Sequence, residues 1–282
     1  MIDYKRLIDV GLHFGHQKSR WCPKMEPYIW GHRGGVHLID ISKTAHALQK
    51  TAAFLETVTA RGETILWVGT KKQAKDAIAA TGLATNMPYV NYRWVGGTIT
   101  NYQQVKKAVT KLMHYEDVIA RYNKENSSYT KKEISRIQKL AERLSRSIGG
   151  LKSYVMPIGA VVIIDVKKEE TALLEALASN VPVVALVDTN ADPSKIGQFV
   201  IPGNDDSAKG IEFVLAYLQE AVKKGLDKRS ELVKKAKEAR ETAKSEIIAK
   251  PSVDIHIDLS EEDEEEKASA KRKKPVFKKQ SK

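Results

Sequence analysis

The chain is 282 residues long, 42% hydrophobic and 29% charged, with 47 Lys and Arg against 35 Asp and Glu, a formal net charge of +12 and a pI near 9.5. That length supports a sizeable core, the cation surplus favours a polyanionic partner, and Cys22, the single cysteine, excludes an internal disulfide and suits a reducing compartment. No apolar run is long enough to cross a bilayer and the start, MIDYKRLIDVGLHFG, lacks a signal-peptide pattern, so a cytoplasmic protein with no membrane partner is expected.

Residues 3–10 read as a short amphipathic helix, with Tyr4, Leu7, Ile8 and the following Leu12 at helical spacing. The stretch Gly11–Asp40 then interleaves cations (Lys18, Arg20, Lys24, Arg33) with four histidines (His13, His16, His32, His37) and large aromatics (Phe14, Trp21, Tyr28, Trp30). Its glycines and prolines predict a rigid, irregular surface rather than a regular element. Cations beside stacking rings suit an RNA better than a small metabolite.

Val36–Ile39 reads as the first strand and Ser42–Arg61 as a helix with Ser42 as cap and Ala45, Leu48, Ala52, Leu55 and Val58 on one face. Thr64–Val68 is a continuous apolar strand of the doubly buried kind. A helix over Lys71–Ala80 and a short strand over Pro88–Asn91 follow. Tyr92–Asn101, YRWVGGTITN, is a second basic-aromatic loop. Gln103–Arg121 and Thr130–Ile148 are two helices, charged on most of their circumference. Narrow apolar stripes run along them: Val105, Val109, Leu112 and Ile119 on one, Ile134, Ile137, Leu140 and Leu144 on the other. Such helices pack on each other as a protruding antiparallel hairpin.

Ala160–Ile164 and Val183–Val187 are strands ending at Asp165 and Asp188. Glu169–Ser179 is a helix, Phe199–Ile201 a last strand and Ser207–Lys223 a last core helix, capped by Asp205 or Asp206. Alternating strands and helices specify an α/β fold with a doubly wound parallel sheet. About five strands are expected in the flavodoxin-like order 2-1-3-4-5, with the hairpin inserted between the third and fourth strands. Residues 1–102 and 151–225 would form the α/β domain, residues 103–150 the helical insertion, and residues 226–282 a charged extension. In that extension Ser230–Ile247 reads as a solvated helix, and the acidic run Glu261–Glu266 and basic run Lys271–Lys279 as disordered. Net charge is +6 over residues 1–102, +6 over 103–150, −3 over 151–225 and +3 over 226–282, so the basic half is the nucleic-acid face.

Gly69-Thr70-Lys71-Lys72 follows a strand and opens a helix, which makes it an anion site. It lacks the Walker and dinucleotide glycine patterns, and an RNA phosphate is the favoured anion. The competing class is a nucleotide-dependent enzyme using that turn. No catalytic constellation accompanies it. His13, His16, Cys22, His32 and His37 match no closed zinc set. Asp188, Asp192, Asp205 and Asp206 lie near strand ends; His16, Asp188 and Asp205 are the candidates for a structural Mg or Zn ion, and turn and cap chemistry is the simpler reading of those aspartates.

Four stretches, GLHFGHQKSRWCPKMEPYIWGHRGGVHLID, VGTKKQA, RWVGGTITN and VDTNADPSKIGQFVIPGNDD, together resemble the bacterial small-subunit ribosomal protein S2 family from about Ile2 to Tyr217. The resemblance implies a three-layer α/β domain with a coiled-coil hairpin. It also implies a structural, non-enzymatic role on the small subunit near the junction of head and body. Its partners would be small-subunit rRNA and neighbouring proteins, including the large RNA-binding protein S1, with no cofactor and no small-molecule substrate. The expected phosphate contacts are Arg20, Lys24, Arg33, Lys71, Lys72, Arg93, Lys106, Lys107 and Lys111. Trp21, Trp94 and Asn101 would shape the loops or touch RNA.

Overall fold

The structure, a computed structural model, describes residues 2–124 and 129–249. The charged runs at 261–266 and 271–279 lie outside the described residues. Asp3 caps helix α1 (Tyr4–Asp9) by accepting from Lys5 N at 2.9 Å. The next stretch corrects an expectation. It is regular: β1 (Phe14–Gln17), β2 (Ile29–Arg33) and β3 (Val36–Ile39) form a three-stranded antiparallel sheet in the order β1-β3-β2. The breakers fall between the strands or at their irregularities. Pro23 and Pro27 sit in a 3-10 segment (Pro23–Tyr28), register shifts absorb the bends around Gly15 and Trp30, and Gly34 and Gly35, at φ +58° and +80°, make the two-residue turn joining β2 to β3. Val36–Ile39 therefore belongs to this small sheet and not to the parallel one.

Helix α2 (Ile41–Ala60) is capped by Asp40, which accepts from Ser42 N at 2.9 Å, and not by Ser42 itself. After β4 (Thr64–Val68) the chain makes a turn before α3 (Lys75–Thr85), which starts later than expected. β5 (Tyr89–Val90), the hairpin helices α4 (Tyr102–Lys124) and α5 (Lys131–Ile148), β6 (Ile158–Ile164), α6 (Glu170–Ala178), β7 (Val183–Val187), β8 (Phe199–Pro202) and α7 (Ala208–Ala249) follow. Helix α7 runs through the stretch where two helices were expected. Its first turn is capped by Ser207, whose Oγ accepts from Gly210 N at 3.2 Å, because Asp205 and Asp206 are engaged elsewhere.

The large sheet is five-stranded, all parallel, in the order β5-β4-β6-β7-β8. Counted within the sheet this is 2-1-3-4-5, as the alternation of strands and helices predicts. With Val36–Ile39 removed from the count, the hairpin enters between the second and third strands. Strand side chains alternate between two apolar layers. Leu66, Val68, Val161, Ile163, Ala185 and Val187 share one layer with Met25, Trp94, Ile99, α6 and the hairpin root. Ile65, Trp67, Val162, Ile164, Val184 and Leu186 face the other, against α1, α2, α3 and α7. The result is the three-layer arrangement.

The hairpin seam is built from Val105, Val109, Leu112 and Ile119 on α4 and Ile134, Ile137, Ala141, Leu144 and Ile148 on α5. Leu140, expected in the seam, is exposed. Ala141 takes its place, because the spacing 134, 137, 141, 144, 148 is the heptad alternation of three and four that keeps one face toward a partner helix. Thr130 and Glu133 form a reciprocal capping box at the start of α5. Residues Met1–Val233 form one compact unit that includes the hairpin, and Lys234–Lys282 is a second. No helix among the described residues is long and apolar enough to cross a membrane.

Candidate nucleic-acid interface

Strand ends of the large sheet deliver four carboxylates to one spot: Asp165 after β6, Asp188 after β7, and Asp205 and Asp206 after β8. Lys71, from the turn after β4, reaches into them. Its Nζ lies 2.7 Å from Asp205 Oδ1, 2.6 Å from Asp206 Oδ1 and 3.5 Å from Asp165 Oδ2. β1 brings His16 to the same place, with Nδ1 2.9 Å from Asp188 Oδ2 and Nε2 3.4 Å from Asp206 Oδ2. Burial, then repulsion from Asp165 and Asp188, pushes the Asp205 carboxyl up to about 7. Burial works against the charge on Lys71, but its hydrogen bonds to Asp205 and Asp206 hold its pKa above the ordinary lysine value. The hydrogen bond to Asp188 raises His16.

One donor atom each from His16, Asp188, Asp205 and Asp206 lies within 4.8 Å of the others. The sequence pointed to His16, Asp188 and Asp205. Asp206, also noted at a strand end, joins them, whereas Asp192 pairs with Lys24 instead; Lys71 was missed as a member, because nothing local in a sequence says which strand ends are adjacent. His13, Cys22, His32 and His37 do not join a group of this kind among the described residues. The ammonium of Lys71 is the cation of this cluster, so a metal ion there would have to displace it.

The same geometry disposes of the nucleotide site. In a doubly wound sheet a nucleotide binds where the strand order reverses, here between β4 and β6. That crevice is filled from within. The Glu169 carboxylate accepts from Thr70 N at 3.1 Å and from the Thr70 hydroxyl, and Lys168 Nζ donates to Thr70 O at 3.1 Å. The turn's free amide and its first lysine are thus committed to side chains of this chain. Lys71 is a structural cation, which corrects its assignment as an open phosphate contact; Lys72 is exposed.

The second basic-aromatic loop is tied by one carboxylate. Glu175 Oε1 accepts from Trp94 Nε1 at 2.9 Å and Gly97 N at 2.7 Å, and Oε2 from Ile99 N at 3.1 Å. Burial opposes the charge of Glu175, but these donors outweigh it and hold the carboxyl below its usual range. Trp94 is buried, so it anchors the loop and does not reach outward, whereas Arg93 beside it and Asn101 at the loop's end are exposed. Glu175 was not singled out from the sequence; a lone glutamate inside an amphipathic helix carries no signal of a tertiary partner.

On the small sheet, Arg20 and Arg33 are exposed and make no ion pair among the described residues. Lys24 pairs with Asp192 at 2.7 Å and donates to Ser194 Oγ at 2.9 Å. Trp21 is half-buried with its ring 5.1 Å from that of His37, while Trp30 is 76% exposed. Lys106, Lys107 and Lys111 are exposed on α4, with Lys106 over the Tyr102 ring and Lys111 over Tyr115. Met25, Trp94, Ile99 and Val105 belong to one apolar cluster, so both loops and the hairpin root pack on the same side of the large sheet.

Residues 7–225 match the family described as Ribosomal protein S2. The chain is 37% identical over 272 residues to the small ribosomal subunit protein uS2 of Kocuria rhizophila, covering 95% of this chain and 90% of that protein. It is 40% identical over 235 residues to the uS2 proteins of Bifidobacterium longum and its subspecies infantis, covering 83% of this chain and 83% of each relative.

Proposed function

Because this chain belongs to the ribosomal protein S2 family, we propose that it serves the small subunit by gripping ribosomal RNA through the cations of its small antiparallel sheet, its basic-aromatic loop and its helical hairpin. It is a structural constituent of the small ribosomal subunit and not an enzyme. The observation that carries the RNA reading is the placement of exposed cations that make no ion pair among the described residues, Arg20, Arg33, Lys72, Arg93, Lys106, Lys107 and Lys111, on elements held rigid by the core and by Glu175. Such groups fix register on a phosphate backbone without reading sequence. Lys24, paired with Asp192, and Lys71, enclosed by aspartates, contribute less. Trp21, Trp94 and Asn101 shape the loops that carry the contacts. A seat near the head-body junction and a contact with protein S1 rest on the family resemblance.

The test is binding of the purified chain to small-subunit rRNA across a salt series. About six to ten phosphate contacts predict a loss of roughly 10³–10⁵ in affinity between about 50 and 200 mM salt. A flat response would remove the basis of the reading.

A further inference from the structure

Trp94, the larger ring of the second basic-aromatic loop, is buried and tied to Glu175, so the ring that this loop presents outward is Tyr92, 50% exposed. Tyr92 lines a crevice of about 950 Å³ between the root of the hairpin and helix α3. That volume falls within the roughly 300–1,000 Å³ of ligand clefts. The crevice lies at the β5 edge of the large sheet and shares no residue with the aspartate cluster around Lys71. Part of its wall is rigid. Tyr89 of β5 is clamped between Gly82 of α3 and Gly150 after α5, and a Cβ added at either glycine would run into the Tyr89 ring. The rest of the lining offers charges of both signs. Lys75 and Arg146, and the carboxylates of Asp76 and Glu142, make no ion pair among the described residues, whereas Lys152 is spent on Glu116 at 2.7 Å. Lys75 Nζ also stands 5.1 Å from the centre of the Tyr92 ring.

We propose that this crevice receives one unstacked base of single-stranded ribosomal RNA, with Tyr92 as the stacking ring, Asp76 or Glu142 accepting from the exocyclic amine of the base, and Lys75 holding the flanking phosphate. This rests on the RNA reading above and adds a base pocket to its phosphate contacts. A phosphate alone would use the cations and be repelled by the carboxylates. An apolar ligand would leave both unmatched. A nucleotide uses the whole set: its base lies on a ring, its amine donates to a carboxylate, and its phosphate meets an ammonium. A protein partner fits less well, because six charged side chains line the crevice and interface cores are depleted of charge. Arg93, exposed beside Tyr92 in the chain, makes the crevice continuous with the cations already assigned to RNA.

The test uses the full chain and small-subunit rRNA. Tyr92→Leu removes the ring and no charge, so affinity is expected to fall about 5- to 150-fold while the log-log salt slope stays that of the parent. Tyr92→Trp, which keeps a stacking face, is expected to bind like the parent. Probing with dimethyl sulfate and kethoxal is expected to find one unpaired base shielded on its Watson–Crick edge by the parent and reactive again with Tyr92→Leu. Unchanged melting shows that the leucine variant is folded. If it is not, Gln138→Trp, which fills the crevice from an exposed position of α5, takes its place and is expected to give the same loss and the same renewed reactivity. A folded variant that binds as tightly as the parent, one whose loss comes with a shallower slope, or a parent that shields no unpaired base overturns the pocket and leaves phosphate binding by the exposed cations standing. Micromolar binding of adenosine or guanosine monophosphate alone, lost in Tyr92→Leu, overturns it in favour of a free nucleotide. A parent without salt-dependent binding overturns the RNA reading as a whole.

Discussion

Replacing Glu175 with glutamine should loosen the second basic-aromatic loop without touching a cation. The side chain keeps its shape, but one of its oxygens becomes an N–H₂ group facing backbone and indole donors. Three hydrogen bonds are of ordinary length, from Trp94 Nε1, Gly97 N and Ile99 N at 2.9, 2.7 and 3.1 Å; those from Thr100, at 3.4–3.5 Å, add little. At roughly 1–1.5 kcal/mol net for each charge-assisted bond to a half-buried carboxylate, Glu175→Gln should cost about 3–4 kcal/mol. In a unit of this size that lowers the melting temperature by roughly 6–16 °C. Hydrogen exchange at the Gly97 and Ile99 amides should quicken by more than that of the sheet. The carboxyl is held below its usual range, so its contribution is present above the unfolded value and lost as pH falls through the folded one. Parent and variant should therefore converge toward pH ~3. Melting within about 1 °C of the parent near neutral pH, with unchanged exchange at Gly97 and Ile99, would refute the idea that this carboxylate ties the loop.

Three further outcomes follow from the packing. Asp205 holds its proton to about 7 in the fold against 3.8 ordinarily. Its stabilising share is full below the unfolded value and lost as pH rises through about 7. Asp205→Asn should flatten the fall in urea-measured stability between pH ~5 and ~7.5 by roughly 2–4 kcal/mol, and an unchanged slope would show that the proton sits elsewhere. Raised His16 acts in the same direction, while His13 and His37, lowered mainly by burial, oppose it below 6.5. Gly225→Ala puts a methyl 2.5 Å from Glu56 O and against the Thr59 hydroxyl, where α7 crosses α2. Despite alanine's better helix propensity, stability should fall by about 1–3 kcal/mol, and a higher melting temperature would argue against that close crossing. Leu112→Ala, at a fully buried position in the hairpin root, should cost about 2–5 kcal/mol in denaturant titration; a cost near zero would mean that the root is not packed as described.

Local pattern carried a large part of the fold. Thr64–Val68, Ala160–Ile164 and Val183–Val187 are unbroken apolar runs, and an apolar run between turn signals has few other places to go than a sheet covered on both faces. The hairpin was legible because two long, strongly charged helices with narrow apolar stripes can bury those stripes only on each other. The small sheet was not legible. Its strands have four or five residues, and the glycines that mark its turn and register shifts look, in sequence, like signals against regular structure. Leu140 and Ala141 show the same limit on a smaller scale: hydrophobicity favours leucine for the seam, but heptad phase, set by the partner helix, selects alanine.

What the sequence determined by itself was the inventory: an α/β core, a basic half, two stretches of cations and rings, and four motifs that mark the family. Tertiary structure alone decided which charges are available. Lys71 and Arg93 both look like phosphate ligands in the chain, but the sheet order brings Asp165, Asp205 and Asp206 around Lys71 and leaves Arg93 exposed. Whether a charge is spent or free depends on neighbours far away in the chain, and long-range adjacency is the one quantity that local spacing does not encode.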